Sequence, residues 1–172
     1  SSLMCRSLDV AHRVLELPWL AEINTSALGR QGEALPKGEQ VDIDSLDASK
    51  VTAEAVWVPN RNGVFLNIAA AYAEAMGAQY VVPGFNKEEA TTFADNSQAF
   101  VDEVSACLQY STQTGVKVHC FTTDMDKTEI VVMGRELGVS FEMVWSCYEA
   151  GDKICGECES CKRFERAMGA IR

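Results

Sequence analysis

The sequence predicts an α/β protein with a parallel sheet, and three observations support this prediction. Short β-rich runs alternate with helical stretches of about 10–15 residues between positions 56 and 138. Several of these runs end at proline or glycine, which interrupt regular structure. The chain has 172 residues, of which 47% are hydrophobic and 23% charged, and this composition is typical of one globular domain.

The first half of this pattern contains two strands and one helix. A short β-rich run predicts a strand at 56–58. From Arg61 to Met76 the apolar residues recur three or four positions apart, as on one face of a helix, and Gly77 is well placed just beyond the end. The β-branched and aromatic residues at 80–82 predict a buried strand.

The second half contains two helices and one strand. Ser97 is the predicted N-cap of a helix whose apolar residues again recur every three or four positions. The stretch 116–121, in which apolar and polar residues alternate at its start, predicts the next strand. Asp126 and Glu129 have the spacing of a capping box and predict a helix that ends at Gly138.

The first fifty residues are less regular. A helix is predicted over 7–17, and the glycine-containing, acidic stretch 26–49 is predicted to be a long loop. Loops of that length inside a compact domain are uncommon and often functional.

The loops that follow the predicted strands form the expected functional edge of the protein. Ligands of parallel α/β sheets bind beyond the carboxyl ends of the strands. The polar groups in these loops are Arg61 with Asn62, the stretch 86–95 and the stretch 124–127.

The loop 85–96 has side chains that suit a small planar substrate. Glu89 and Asp95 can accept hydrogen bonds from N–H groups, and Phe93 can stack on a ring. An ordinary exposed loop has a similar composition, so both interpretations stay open at this point.

Lys127 is predicted to lie at a helix N-terminus. Its ammonium group and the backbone amides there could hold an anion such as phosphate. A capped surface helix with a solvated lysine fits the same residues. His12 and His119 are predicted to be structural, and the sequence contains neither a G-x-S-x-G nor a Walker motif.

Cysteines provide the strongest signal in the sequence. Four of the seven lie close together near the C-terminus: Cys147, Cys155, Cys158 and Cys161. Four thiolates suit a structural zinc ion, which leaves no open position for catalysis. An iron–sulfur cluster is the alternative, but the fourth cysteine and proline that ferredoxin-type sequences place after the third do not follow Cys161.

Charge and hydropathy exclude several classes of protein. The net charge of −10 argues against nucleic-acid binding by general electrostatics. No stretch approaches the roughly 18 consecutive apolar residues of a membrane span, and the first residues do not have the pattern of a secretory signal. With clustered rather than scattered cysteines, we expect a reducing cytoplasm.

Several motifs together resemble the 7-cyano-7-deazaguanine synthase family, more closely its archaeal branch. They follow one another in the family's order: Val58-Pro59-Asn60-Arg61-Asn62, Pro83-Gly84-Phe85-Asn86, Phe93-Ala94-Asp95-Asn96-Ser97, Asp126-Lys127-Thr128-Glu129, Trp145-Ser146-Cys147-Tyr148 and Cys155-Gly156-Glu157-Cys158-Glu159-Ser160-Cys161. The resemblance extends over about residues 6–166, and its cysteine-rich end is the most specific part.

This resemblance implies an adenine nucleotide alpha-hydrolase-like fold with a PP-loop. It implies an ATP-dependent ligase that, with Mg²⁺, converts 7-carboxy-7-deazaguanine and ammonia into the nitrile through an amide, for queuosine or archaeosine in tRNA. The substrate is the free base, so direct nucleic-acid binding is not expected. The family also favours a homodimer.

The resemblance implies roles for particular residues. Asp95, Phe93 and Glu89 would contact the base, and Lys127 and Arg61 would stabilise negative charge on a phosphoryl group. The four clustered cysteines would hold zinc in a C-terminal segment, 146–172, that follows a nucleotide-binding domain, 1–145.

The sequence also departs from the family pattern. Asn60 replaces the glycine of the usual V-P-G-R-N motif, and the S-G-G-x-D-S loop that binds ATP is absent. Ser1 and Ser2 resemble the end of that loop and are the expected nucleotide contacts. We therefore expect that segments of the fold are omitted between them and the next helix, and that 28–41 hides another omission.

Two other functions remain as alternatives. The first is a non-catalytic binding module, stabilised by zinc, that lost its activity together with its phosphate loop. Another PP-loop enzyme acting on tRNA, such as a thiolase, would need a catalytic cysteine near the nucleotide and a basic surface, and the sequence shows neither clearly.

Overall fold

The computed structural model of the protein describes residues 1–29 and 34–171. Its regular elements are α1 (Ser2–Ser7), α2 (Pro18–Ile23), α3 (Leu46–Ala55), α4 (Arg61–Ala75), β1 (Tyr80–Val81), α5 (Lys87–Ala90), α6 (Gln98–Ser111), β2 (Lys117–Val118), α7 (Lys127–Glu136) and α8 (Glu159–Gly169). Short 3-10 helices lie at Gly38–Gln40, Ala94–Asn96 and Phe141–Met143. Within the described ranges, no helix is long and apolar enough to cross a membrane.

The chain divides into two compact units, which we describe separately. The terminal unit is Ser1–Val58 with Val131–Arg172, and the sheet unit is Pro59–Ile130. The predicted domain boundary between residues 145 and 146 stays a prediction.

The sheet unit is built on two parallel strands. Tyr80 pairs with Lys117 and Val81 with Val118, and the intervening chain crosses over through α5 and α6. The buried core is formed by α4, α6 and the strand region: Leu66, Ala70, Ala73, Phe85, Val101, Leu108, Val116, Val118 and Cys120. The predicted α/β class with a parallel sheet is thereby confirmed.

The predicted helices of the sheet unit begin and end close to their sequence signals. The helix predicted from Arg61 is α4, and Gly77 follows its C-cap with a φ of +72°. The Oγ of Ser97 accepts a hydrogen bond from the Phe100 N–H at 3.2 Å, as an N-cap should.

The predicted capping box at the start of α7 is also confirmed. The Glu129 N–H donates to Asp126 Oδ1 and the Asp126 N–H donates to Glu129 Oε2, each at 2.8 Å. Two backbone donors at the helix start are thus satisfied by reciprocal side chains.

Strand predictions were less accurate than helix predictions. The strand predicted at 56–58 is wrong, because Val56 is the C-cap of α3 and its N–H donates back to Ala53. The strand predicted at 80–82 exists as β1 over Tyr80–Val81, but the stretch is not buried, since the residues Tyr80 and Val82 are 54% and 56% exposed. The stretch 116–121 forms a strand only at Lys117–Val118.

The predicted helix at 7–17 is also wrong. Helix α1 stops at Ser7, and Asp9 has a φ of +53°, outside the helical region. The next helix, α2, begins at Pro18, whose fixed φ suits a first helical position.

The predicted long loop at 26–49 is interrupted by regular structure. It contains the 3-10 helix Gly38–Gln40 and the start of α3, where the Ser45 hydroxyl accepts from the Ala48 N–H at 3.3 Å. Residues 30–33, which belong to this loop and to the expected omission at 28–41, lie outside the described residues, as does Arg172.

Asn60 gives a testable prediction about backbone conformation. It precedes α4 with a φ of +50°, in the left-handed region, and its side chain makes no capping hydrogen bond. Asn60→Val should lower the free energy of unfolding by about 1–2 kcal/mol, because β-branched side chains clash in this conformation. Asn60→Gly should keep the wild-type stability. Urea unfolding of the three proteins measures the difference, and a valine variant as stable as wild type would contradict it.

Candidate functional site

The four clustered cysteines come together in the terminal unit. Their Sγ atoms all lie within 4.8 Å of one another, and those of Cys155 and Cys161 are 3.9 Å apart. Four Zn–S bonds of about 2.3 Å in a tetrahedron place sulfur atoms about 3.8 Å apart. The predicted ligand set therefore fits a structural zinc ion.

Local backbone geometry prepares these sulfur atoms for a metal. The N–H groups of Glu149 and Cys155 point to Cys147 Sγ at 3.3 and 3.4 Å, and the Cys158 N–H points to Cys155 Sγ at 3.4 Å. Amide donors of this kind stabilise thiolates, as they do around bound metals. The turn between Cys155 and Cys158 uses Gly156 at a φ of +75°.

Two of the clustered thiols, Cys155 and Cys161, have pKa values shifted in opposite directions. Burial raises the pKa of Cys161 to about 12. Burial also opposes ionisation of Cys155, but hydrogen bonds from the backbone of Glu157 and Cys158, with those from the neighbouring thiols, lower the pKa of Cys155 to about 7. A bound cation would supply the charge that Cys161 needs to ionise at neutral pH.

Helix α8 connects this cluster to α3 through a buried polar network. Cys158 is the N-cap of α8, and Cys161 lies in its first turn. Between them, Glu159 accepts from the Thr52 hydroxyl at 2.7 Å and from the Arg163 guanidinium at 2.8 Å. No sequence signal predicted this network, because Thr52 and Glu159 are 107 residues apart and each is an ordinary helix residue.

In the sheet unit, the loops after β1 and β2 lie side by side. The Lys87 N–H donates to the Met125 carbonyl at 2.9 Å, and the Thr122 hydroxyl donates to the Phe85 carbonyl at 2.5 Å. The buried Asn86 side chain caps α5 by accepting from the Glu89 N–H at 3.0 Å. These bonds form the polar edge at the carboxyl ends of the strands.

The first group at this edge joins α5 to the start of α7. Lys127 Nζ lies 2.8 Å from Glu89 Oε1, and the Lys127 N–H donates to Glu88 Oε1 at 3.1 Å. Carboxylates of the chain itself thus occupy the positive end of α7. Lys127 and Glu89 were predicted site residues, whereas Glu88 belonged to the predicted loop without an assigned role.

The second group surrounds Asp95, in the 3-10 helix Ala94–Asn96. Asn96 is buried and its Nδ2 donates to Asp95 Oδ1 at 3.2 Å, while Asn62 Nδ2 donates to the Asp95 carbonyl at 3.3 Å. Burial raises the pKa of Asp95, and the positive charge of Arg61 is the largest influence that opposes this rise. The structure therefore brings Asp95 and Arg61 into one electrostatic environment.

The remaining predicted site residues lie as follows. Phe93 is half-buried, and its N–H donates to the Glu89 carbonyl at 2.8 Å, which connects the two groups. Ser1 and Ser2 belong to the terminal unit, where Ser1 Oγ lies 3.1 Å from His12 Nε2 and Ser2 begins α1.

The metal site gives a testable prediction. The purified protein should contain about one zinc per chain and no visible iron–sulfur absorbance. Cys158→Ser should lose the zinc and several kcal/mol of stability, because metal binding is coupled to folding. Serine is a favourable N-cap for α8, so this loss would come from the missing thiolate rather than a missing cap.

Elemental analysis and thermal melting would measure both effects. The matched control is Cys107→Ser, since Cys107 is an exposed free cysteine on α6. The control should keep its zinc and melting temperature. A Cys158→Ser protein that behaves like this control would remove Cys158 from the ligand set.

Comparison with known proteins agrees with the resemblance identified in the sequence. A family model described as Queuosine biosynthesis protein QueC matches residues 2–171. The 7-cyano-7-deazaguanine synthase of Bdellovibrio bacteriovorus is 50% identical over 170 residues, which cover 99% of this chain and 74% of that protein.

Other relatives with the same name are similarly close. The protein of Desulforudis audaxviator is 52% identical over 167 residues, covering 95% of this chain and 75% of its own length. The protein of the archaeon Methanosarcina mazei is 46% identical over 174 residues, which cover 99% of this chain and 75% of that protein. Matches of this identity and extent show common ancestry of the whole chain, and the protein belongs to the QueC family.

Proposed function

We propose that this protein catalyses the ATP-dependent conversion of 7-carboxy-7-deazaguanine and ammonia into 7-cyano-7-deazaguanine. The observation that carries this proposal is the 46–52% identity, over at least 95% of the chain, to proteins named 7-cyano-7-deazaguanine synthase. The polar edge of the sheet unit and the four-cysteine cluster are compatible with it.

The reaction replaces both carboxylate oxygens by one nitrogen. ATP activates the carboxylate, ammonia attacks the activated carbon, and the oxygen leaves with the phosphoryl-bearing group to give the amide. A second ATP activates the amide oxygen, and that oxygen then leaves with its phosphoryl-bearing group as the two N–H protons are lost, which gives the nitrile. Each step develops negative charge on a phosphoryl group, so cationic side chains are needed beside it.

For the base, we assign recognition to Asp95, Phe93 and Glu89. A carboxylate held by amides can accept two N–H groups from a guanine-like edge, and a half-buried aromatic ring offers a stacking face. The Asp95 contacts to Asn96 and Asn62 support this assignment, because they hold the acceptor in place before the base arrives.

For the phosphoryl group, we assign Lys127 and Arg61. Lys127 is largely buried at the start of α7, and its ammonium is held by Glu89 at 2.8 Å. Phosphate could exchange with that carboxylate as the partner of Lys127. ATP with Mg²⁺ is the proposed co-substrate, and Ser1 and Ser2 remain the proposed contacts to it.

The cellular setting follows from the same chemistry. A reduced four-cysteine site fits a cytoplasmic enzyme, and a free base needs no nucleic-acid surface, in agreement with the net charge of −10. Ammonia is the proposed nitrogen donor. We also propose a homodimer, on the basis of the family alone.

A direct assay tests this function. The zinc-loaded protein is incubated with the carboxylated base, ¹⁵N-ammonium and MgATP, and the products are identified by mass spectrometry. A labelled nitrile that forms only with ATP supports the proposal. Binding of the base without ATP-dependent turnover would support the non-catalytic binding module instead, and absence of base binding would overturn both.

Asp95 provides a prediction for base recognition. Asp95→Asn should raise the KM for the base by at least about 10²-fold, because an N–H edge would lose its charged acceptor. The zinc content should not change. Asp102→Asn is the matched control, since Asp102 is an exposed acid on the adjacent helix α6. Steady-state kinetics of both variants measure the KM for the base. If the two variants have the same KM, Asp95 does not belong to the site.

Lys127 provides a prediction for charge stabilisation. Lys127→Met should lower kcat by about 10²–10³-fold, the usual effect of removing one preorganised donor. Lys87→Met is the control, because Lys87 is an exposed lysine at the start of α5, at the same polar edge. If Lys127 only pairs with Glu89, Lys127→Met and Glu89→Gln should lose equal stability and leave kcat unchanged. That outcome would contradict a catalytic role.

A further inference from the structure

Two amide side chains converge on Asp95 from different elements. Asn62, in the first turn of α4, donates from Nδ2 to the Asp95 carbonyl at 3.3 Å. Asn96, in the same 3-10 helix as Asp95, donates from Nδ2 to Asp95 Oδ1 at 3.2 Å. The residue is therefore held at its backbone by one amide and at its carboxylate by the other.

The two amides differ in what anchors them. Asn96 is 7% exposed and lies beside Asp95 in sequence, so it moves with the 3-10 helix. Asn62 belongs to α4, whose inner face packs into the core through Leu66 and Ala70. The Asn62 contact is thus a side-chain bond that ties the Asp95 turn to a 15-residue helix anchored in the core.

The Asp95 turn needs such a tie. It is a three-residue 3-10 helix, and its own backbone bonds are the short-range ones from Asn96 N–H to Phe93 and from Ser97 N–H to Ala94. Short turns of this kind contribute little rigidity of their own. If a binding group is mobile before the ligand arrives, ordering it costs free energy and weakens binding. Contacts with neighbouring residues that hold the group in place avoid this cost.

From this geometry we propose that Asn62 is a positioning residue: through the Asp95 carbonyl it holds the Asp95 carboxylate in the orientation that accepts the N–H edge of the deazaguanine base. The inference rests on the proposed function, and it adds a residue that acts through Asp95 and does not touch the base.

The position of Asn62 in α4 separates this role from helix stabilisation. An aspartate in the first turn of a helix interacts favourably with the helix dipole. If Asn62 served only the start of α4, Asn62→Asp would be neutral or stabilising. What asparagine supplies and aspartate lacks is the Nδ2 donor.

The experiment compares two variants that both remove this donor. Asn62→Asp adds a negative charge and Asn62→Leu adds none, while both keep a similar side-chain size. Each should weaken binding of 7-carboxy-7-deazaguanine by about five- to tenfold, the effect of one lost hydrogen bond. In turnover, the KM for the base should rise with kcat and the KM for ATP retained, because only binding of the base is affected.

The control is Asn67→Asp, the same substitution at an exposed position of the same helix. It should bind the base like wild type, and zinc content and thermal melting should show that all variants fold. Loss of affinity in Asn62→Asp alone would point to charge repulsion and overturn the inference, as would wild-type affinity in both. A folded wild-type protein that binds no base would overturn the proposed function, and the inference with it.

Discussion

The convergence of four thiols is the constraint on which the terminal unit depends. Cys147 and Cys155 lie in irregular chain, whereas Cys158 and Cys161 begin α8, so a metal ion here would join a loop to a helix at its first turn. Burial raises the pKa of Cys161 to about 12, so this residue would need the charge of a bound cation to act as a thiolate ligand at neutral pH. Metal binding at such a site contributes directly to folding.

With the first turn of α8 held by the cysteine cluster, side chains further along α8 determine how this helix packs against α3. Glu159 and Arg163 form an ion pair whose side chains are only 8% and 9% exposed. The free energy lost when two charges are removed from water is about as large as the free energy gained from their attraction. The pair is compensated by hydroxyl groups, since Thr52 donates to Glu159 and Arg163 donates to Ser49 at 3.1 Å. These directional bonds specify one register of α8 on α3.

Signals confined to a few neighbouring residues could be interpreted from the sequence. The Ser97 cap, the capping box of Asp126 and Glu129, and the glycine after α4 each depend on contacts within one turn, and the structure confirms them. The cysteine spacing predicted its cluster for the same reason, because three of the ligands lie within seven residues.

The predictions were wrong or incomplete where the local structure is determined by partners distant in sequence or by a single backbone angle. The β-rich run at 56–58 ends a helix instead, and a positive φ at Asp9 prevents the helix expected over 7–17. The bond from Thr52 to Glu159 and that from Lys127 N–H to Glu88 cross 107 and 39 residues. No periodicity or local motif records such pairs, so they become visible only in the folded chain.

The short helix α5 shows why the geometry of the polar edge could not be predicted from the sequence. Four residues are too few for a helix that is stable alone. Its position therefore depends on the Asn86 cap, the Lys87 bond to Met125 and the pairing of Glu89 with Lys127. Glu89 also accepts from Phe93 through its backbone, so the residue that neutralises Lys127 shapes the turn leading to Asp95. Its side chain and its main chain thus link the proposed phosphoryl and base ends of the site through one short segment.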